Sequence, residues 1–220
     1  MIPIGDVSRR PLRFPVITAL IIAANALVFL LELASGPAFI LQWSLIPAAV
    51  TAGYDWITIL TATFLHAGWL HILGNMVFLW TFGPEIEDVM GRVRYPVFYL
   101  LGGLVAFLAQ IVVDPTSAVP TLGASGAIAG VMGAFLITYP RDQIRTVLLI
   151  FVFVTVTFVP AAVLVGLWFF IQLFSEVGAV VNRQTGGVAF MAHVGGFLFG
   201  AISARFFEMP SRRVAQGLQR

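Results

Sequence analysis

Long apolar stretches without a charged residue constrain this chain more than any other feature. Of its 220 residues, 60% are hydrophobic and only 10% are charged, whereas soluble domains carry roughly 25% charged residues. The mean hydropathy of +0.99 is correspondingly high. Because an apolar helix of about 20 residues crosses a bilayer, the sequence predicts an integral membrane protein with a single domain.

Charge-free stretches predict six transmembrane spans, at 15–31, 56–84, 95–113, 115–140, 146–175 and 184–204. The stretch 146–175 is too long for one helix and too short for two, so we expect its first part to re-enter the membrane or lie at the interface. Pro160 should stand near the start of the fifth helix, since Pro suits a first helical turn. The aromatic residues of 36–55 favour the outer interface. The predicted fold class is an all-α bundle of six transmembrane helices with an interfacial first outer loop.

The distribution of basic residues predicts the orientation. All of them are Arg, and an even number of spans leaves Arg183 alone on one side, opposite all the others. The positive-inside rule then places both termini in the cytoplasm. We expect a cytoplasmic segment 1–14, a six-helix domain 15–208 and a cytoplasmic tail 209–220. Although the small residues 34–36 resemble a cleavage site, the first span exceeds the roughly 7–15-residue core of a signal peptide, so we expect an uncleaved anchor.

Polar side chains that could take part in catalysis lie inside three of these spans. Ser125 stands in the sequence GASG at 123–126, and His193 lies in the last span. His71 and Asn75 are four residues apart and therefore share a helix face. At about 1.5 Å per residue, Ser125, His71 and His193 fall in one layer, roughly 6–12 Å below the outer membrane face. Idle polar groups are costly there, which favours a functional site.

Each of these residues also has a purely structural interpretation. A Ser at a helix start usually caps the helix, and an intramembrane His or Asn can join helices by hydrogen bonds. Gly123 and Gly126 beside Ser125 instead permit a tight turn and close backbone approach. Small residues recur on the fourth and sixth spans, which predicts that these two helices touch. They are Gly126, Gly130 and Ala134 on one helix, and Ala189, Gly196 and Gly200, together with His193, on the other.

In this order, the motifs resemble the rhomboid family of intramembrane serine proteases, in its bacterial-type six-helix form. The sequence GASG at 123–126 is similar to the family's GxSG nucleophile motif, and His193 to the histidine of its last core helix. His71 and Asn75 are similar to its HxxxN motif, and His66 matches a further family histidine. The resemblance extends from position 15 to about position 207.

This resemblance implies a role for each residue. Ser125 would be the nucleophile and His193 the general base, a pair without a carboxylate. The backbone N–H of Ser125 and the side chains of His71 and Asn75 would hold the oxyanion, as donors do in acyl transfer. No cofactor and no metal is implied. The supporting residues would be His66, Gly123 and Gly126.

Two positions depart from the family pattern. Ala129 stands where some members carry an aromatic side chain that stacks on the histidine, so another group must orient His193. The Trp–Arg pair that many members carry in the first outer loop is absent, and Trp43-Ser44 is the nearest match. We therefore carry over the roles of the site residues but not the conformation of that loop.

The implied function is hydrolysis of a peptide bond in or near a transmembrane segment, in the inner membrane of a bacterium. The implied partners are single-span or other transmembrane protein substrates and membrane lipid, with no nucleic acid, and the oligomeric state is left open.

Two alternatives to this function remain. The first is a catalytically inactive escort protein, although such relatives typically lack the serine or the histidine. The second is a small proton or ion transporter with His66, His71 and His193 along its path, although the spans are expected to hold no acidic residue and no HExxH motif.

Substrates of such an enzyme must arrive sideways from the lipid. The fifth span is the expected gate, where Trp168, Phe169 and Phe170 would pack against Phe78 and Trp80 of the second span. The loop from 178 to 187 would form a flexible cap over the site.

Overall fold

The computed structural model describes residues 1–150, 153–181 and 189–212, apart from the side chains of 150 and 175–181. Arg183, most of the expected cap and the end of the tail therefore lie outside the described residues. Most of the described chain is helical, and a 3-10 turn, Ala62–Phe64, precedes the longest helix. The helices are α1 (Val16–Ser35), α2 (Pro37–Trp43), α3 (Pro47–Thr51), α4 (Thr58–Thr61), α5 (Trp69–Val113), α6 (Ser125–Thr138), α7 (Ala161–Val181) and α8 (Phe190–Phe207).

Within the residues that the structure describes, three helices, α1, α5 and α8, are long and apolar enough to cross a membrane. Helix α5 has 45 residues, more than twice what one crossing needs. Gly91 divides it, because its backbone is non-helical there, with φ of 81° and ψ of 165°, a conformation that glycine adopts without a steric penalty. Helix α6 and the first part of α7 are apolar but shorter. The chain is accordingly a helical membrane protein.

The segment between α6 and α7 forms a β-hairpin, so the expectation of an all-α protein is wrong here. Strand β2 (Gln143–Ile150) pairs antiparallel with β3 (Phe153–Pro160), with Val147 opposite Val156. Strand β1 (Ile2–Asp6) pairs antiparallel with the other edge of β2, giving the order β1-β2-β3. The hairpin is rich in Val and Thr, whose branched Cβ atoms favour strands. Helix α7 begins directly after Pro160, as predicted.

Helices α6 and α8 touch backbone to backbone, which confirms the contact predicted from their small residues. A Cβ atom added to Gly200 would collide with the carbonyl oxygen of Gly130, and one added to Gly196 would collide with that of Gly126. Side chains larger than hydrogen would force the two helices apart. The glycines therefore set the distance between the residues that α6 and α8 carry.

The extended segment before α6 is tied to the first loop. Leu45 and Thr121 exchange two backbone hydrogen bonds, of 2.9 and 2.7 Å. The N–H of Gly123 donates to the carbonyl oxygen of Ala62 at 2.8 Å. These bonds hold the backbone that leads into Ser125 and so position the start of α6.

A buried ion pair joins the N-terminal segment to the start of the hairpin. The guanidinium of Arg9 donates to both carboxylate oxygens of Asp142 and lies 3.8 Å from the centre of the Tyr139 ring. The Asp6 side chain beside it is fully buried. Burial raises the pKa of the Asp6 carboxyl to about 7, and the negative charge of Asp142 adds to the shift. Strand β1 is thus anchored to the bundle through titratable groups.

Candidate active site

A cavity of about 530 Å³ lies among helices α5, α6, α7 and α8. Four of the residues singled out from the sequence line it: His71, Asn75, Ser125 and His193. The rest of the lining is largely apolar and includes Phe78, Leu122, Ile128, Met132 and Trp168. Within the described part of the chain, no group of three or more His, Asp or Glu side chains is arranged as metal ligands would be.

Ser125 and His193 contact each other in the lining of this cavity. The Oγ atom of Ser125, the first residue of α6, lies 2.7 Å from Nε2 of His193 on α8. No side chain caps the start of α6, where Ala124 is the N-cap residue. The capping interpretation of Ser125 is therefore wrong, and its hydroxyl bonds to the imidazole instead.

Gln172 of α7 holds the other side of the His193 ring. Its Oε1 atom lies 2.8 Å from Nδ1 of His193. Since an amide oxygen only accepts hydrogen bonds, Nδ1 carries the ring proton and Nε2 is free to accept from the Ser125 hydroxyl. The ring of Trp168, one helical turn before Gln172, lies 5.7 Å from the imidazole. The arrangement can pass a proton from the hydroxyl to the imidazole.

His71 approaches the same point from α5. Its Nδ1 atom accepts a hydrogen bond from the N–H of Ala67 at 3.3 Å, which leaves the proton on Nε2. A Cβ atom on Gly123 would lie only 2.9 Å from that Nε2, and the φ of Gly123 is +128°. Glycine is therefore required at position 123 both for its backbone conformation and for the close approach of His71.

Asn75 is held by His66, a buried residue behind the site. The Nδ2 atom of Asn75 donates to Nε2 of His66 at 3.0 Å, and the side chain of Asn75 also lines the cavity. The backbone N–H of His66 donates in turn to the carboxylate of Glu32, at 3.0 Å. Glu32 is 2% exposed and belongs to α1. Helix α1 therefore extends beyond the predicted span 15–31 and includes this buried acidic side chain.

Sequence reasoning missed Gln172 and Glu32 for different reasons. Gln172 was detectable as a polar residue one turn after Trp168 in the otherwise apolar stretch Ala161–Phe174. Glu32 directly follows the charge-free stretch 15–31 that defines the first span, so it falls outside the predicted span. A helix can end in a charged residue that is buried by protein rather than exposed to lipid.

A sequence profile of the Rhomboid domain matches residues 53–209, more than half of the chain. His71, Asn75, Ser125 and His193 all lie within this range. The chain belongs to the rhomboid family.

Several characterised rhomboid proteins are similar to this chain. The rhomboid protease GluP of Bacillus subtilis is 34% identical over 126 residues, which are 56% of this chain and 24% of that protein. The mitochondrial presenilin-associated rhomboid-like protein of Rattus norvegicus is 29% identical over 191 residues, 82% of this chain and 45% of that protein. Rhomboid protein 1, mitochondrial, of Saccharomyces cerevisiae is 28% identical over 151 residues, which are 66% of this chain and 40% of that protein. The chain spans less than half the length of each.

The aromatic side chains of α7 in this rhomboid chain pack differently from the expected gate. Phe169 stacks on Phe197 of α8, with ring centres 4.2 Å apart, and Trp168 also faces α8. Phe170 contacts Phe174 of its own helix. Among the described residues, no ring contact joins the α7 aromatics to Phe78 or Trp80, so the expected aromatic gate is wrong in its partners. Phe78 and Trp168 instead line the cavity together.

Proposed function

We propose that this chain is an intramembrane serine endopeptidase that cleaves within or beside the transmembrane segments of other proteins. One observation carries the proposal: the 2.7 Å contact between Ser125 Oγ and His193 Nε2 opens onto a cavity that is also lined by two side-chain donors. Family membership supports it, since relatives of this chain include proteins named as proteases.

The proposed chemistry is acyl transfer by a serine and a histidine. Ser125 Oγ attacks the carbonyl carbon of the scissile bond while Nε2 of His193 takes the hydroxyl proton. The imidazolium then gives this proton to the leaving amine, and the C–N bond breaks. Water, activated by the same imidazole, attacks the acyl-enzyme and releases the carboxylic acid, which returns the hydroxyl to Ser125.

Three donors would stabilise the negative charge that develops on the carbonyl oxygen. They are the backbone N–H of Ser125, Nε2–H of His71 and Nδ2–H of Asn75. The start of α6 adds the positive end of the helix dipole. Donors held in place before the reaction stabilise the transition state without reorganising. His66 would contribute by holding Asn75, and Gly123 by admitting His71.

The cavity favours an extended, mostly apolar peptide as substrate. Its apolar lining suits side chains from a membrane segment, whereas a helical substrate hides its carbonyl groups in backbone hydrogen bonds. The substrate must therefore unwind near the cleaved bond, and small or helix-weakening residues are expected there. Single-span proteins can meet these requirements, and the partners are such substrates and the surrounding lipid.

The proposed topology has six crossings and places both termini in the cytoplasm of a bacterium, with the protein in the inner membrane. The two arms of α5 on either side of Gly91 supply two crossings, and α1, α6, α7 and α8 supply the others. The excess of Arg on one side supports this orientation. The relatives of this chain include both bacterial and mitochondrial proteins.

The test is cleavage of single-span substrates by the purified protein in liposomes, with Ser125→Ala, His193→Ala and the double variant. Because the two residues act as one unit, each single variant should abolish cleavage, and the double variant should be no worse. Thermal unfolding of each variant controls for folding. Wild-type turnover by either single variant would refute the mechanism. Proton or ion flux without peptide cleavage would identify a transporter, and neither activity would indicate an escort protein.

A further inference from the structure

His193 has no carboxylate partner among the described contacts. Nε2 faces Ser125, Nδ1 faces Gln172, and the indole ring of Trp168 lies beside the imidazole. Gln172 is therefore the residue that decides which ring nitrogen carries the proton. Without an acceptor at Nδ1, the proton can shift to Nε2, and the imidazole can no longer accept the proton of Ser125.

A neutral amide suits this position in a membrane. A carboxylate would stabilise the imidazolium more strongly, but a charge buried inside the bilayer carries a large desolvation penalty. The amide oxygen accepts the Nδ1 proton with its dipole alone. Gln172 thus supplies the orienting function at a much lower desolvation cost.

Gln172 and Trp168, which both lie beside the imidazole ring, belong to α7. From Leu167 to Phe174 the side chains of this helix are half-buried or exposed, and none is buried. A displacement of α7 by about 1 Å would already take Oε1 beyond the roughly 3.5 Å limit of a hydrogen bond. The orientation of His193 is therefore coupled to the position of α7.

We infer that Gln172 is a positioning residue that holds His193 in its reactive tautomer only while α7 is packed against α8. This inference rests on the proposed function and adds regulation to it. When α7 moves to admit a substrate, His193 loses its orientation, and it regains it when α7 closes on the bound peptide. The enzyme would be least reactive toward water while the site is open.

The first test is spectroscopic and needs no activity. The chain contains only three His residues, so selective ¹⁵N-histidine labelling in detergent micelles resolves each ring. Wild type should show His193 with its proton on Nδ1. Gln172→Leu, which removes the acceptor at similar size, should give a mixture of tautomers, whereas Gln172→Glu, which keeps an acceptor of the same length, should retain the wild-type pattern. An unchanged Nδ1 signal in Gln172→Leu would overturn the inference.

The second test measures the rate at which a small fluorophosphonate reacts with Ser125. Gln172→Leu should slow this reaction about 10-fold or more, within the roughly 10² to 10⁴ that a general base contributes, and Gln172→Glu should restore most of the rate. Leu173→Ala, an exposed neighbour on the same helix, is the matched control and should react like wild type. Equal rates for Gln172→Leu and wild type would contradict the positioning role. Failure of wild type itself to react would refute the proposed function. The ¹⁵N spectra would still show whether Gln172 sets the tautomer of His193.

Coupling to α7 is tested with Phe169→Ala, which removes the stacking on Phe197 and leaves Gln172 intact. The Nδ1 proton signal of His193 should weaken or broaden in this variant, whereas Phe170→Ala, an exposed side chain, should leave it sharp. A sharp, unchanged signal in Phe169→Ala would show that the orientation of His193 does not depend on the packing of α7.

Discussion

The contact between α6 and α8 differs sharply from the packing of α7 against the same helices. In α6, every residue from Gly126 to Phe135 is buried, and its glycines place backbone against backbone. In α7, the residues from Leu167 to Phe174 contribute only half-buried or exposed side chains, chiefly aromatic rings against Phe197.

This difference separates two requirements of an intramembrane hydrolase. Ser125 and His193 sit on the two helices whose distance cannot change, so their 2.7 Å contact is built into the helix backbones. The wall formed by α7 is held by side chains that can repack. The rigid contact thus fixes the distance between the helices that carry Ser125 and His193, whereas substrate access and the orientation of the His193 ring depend on the adaptable one.

The largest expected effect comes from separating α6 and α8. Gly200→Ala would place a methyl group against the Gly130 carbonyl, and overpacking of this kind typically costs about 1–3 kcal/mol. We expect a lower thermal unfolding midpoint and strongly reduced substrate cleavage, because the shift also moves His193.

Gly166→Ala on α7 is the matched control, since nothing lies within 4 Å of an added Cβ there. It should leave cleavage intact and stabilise slightly, because Ala favours a helix over Gly by about 1 kcal/mol. If both variants behaved alike, the contrast between the two contacts would be wrong.

A smaller loss is expected from the donors on α5. Asn75→Ala should lower the catalytic rate by about 10² to 10³, the usual cost of one oxyanion donor. His71→Ala should be at least as harmful. The measurement is kcat on a transmembrane substrate in liposomes, alongside unfolding midpoints. Full rates with only reduced stability would mean that this pair joins helices rather than stabilising an oxyanion.

Loosening α7 should have opposite effects on two reactions. Phe169→Ala removes the ring that stacks on Phe197, so transmembrane substrates should be cleaved several-fold faster at subsaturating concentration because access limits their rate. The reaction of Ser125 with a small fluorophosphonate should become slower, since it needs no lateral opening but does need an oriented His193. Rates are compared per folded molecule, because truncating a packed Phe can cost about 3–5 kcal/mol in soluble cores.

Phe170→Ala is the control for this experiment, because the Phe170 ring is exposed and contacts Phe174 of its own helix. If Phe169→Ala changed the rates of substrate cleavage and of fluorophosphonate labelling in the same direction, α7 would not have opposite effects on substrate access and on the orientation of His193.

The smallest expected effect concerns stability and pH at strand β1, far from both contacts. Because the pKa of Asp6 is raised to about 7 in the folded protein, the folded state keeps a proton that the unfolded chain releases near pH 4. The contribution of Asp6 to stability is therefore largest below pH 4 and is lost as the pH rises to 7. Unfolding midpoints of wild type and Asp6→Asn should diverge across this window, with the variant less sensitive to pH. If the unfolding midpoints of the two proteins changed with pH in parallel, the raised pKa of Asp6 would be contradicted.

The sequence was most informative where membrane physics leaves few choices. Ser125, His71, Asn75 and His193 could be placed in one layer from helical rise alone, and the small residues predicted the contact of α6 with α8. Both inferences depend only on periodicity and on the cost of polar groups in lipid.

Other features depend on tertiary contacts that periodicity does not encode. The hairpin of β2 and β3 is as apolar as a helix, and only its content of β-branched residues distinguishes it. Pairing with β1, which is more than a hundred residues away in sequence, could not be anticipated. The role of Gln172 also needed the structure, because a polar residue in an apolar stretch of helix has many possible partners.

The most direct test of the central claim is to locate the covalent adduct that a fluorophosphonate forms in liposomes by mass spectrometry. The account predicts one adduct, on Ser125, that is absent in Ser125→Ala, nearly absent in folded His193→Ala, and unaffected by EDTA. An adduct on another residue, or inactivation by EDTA that zinc reverses, would contradict it.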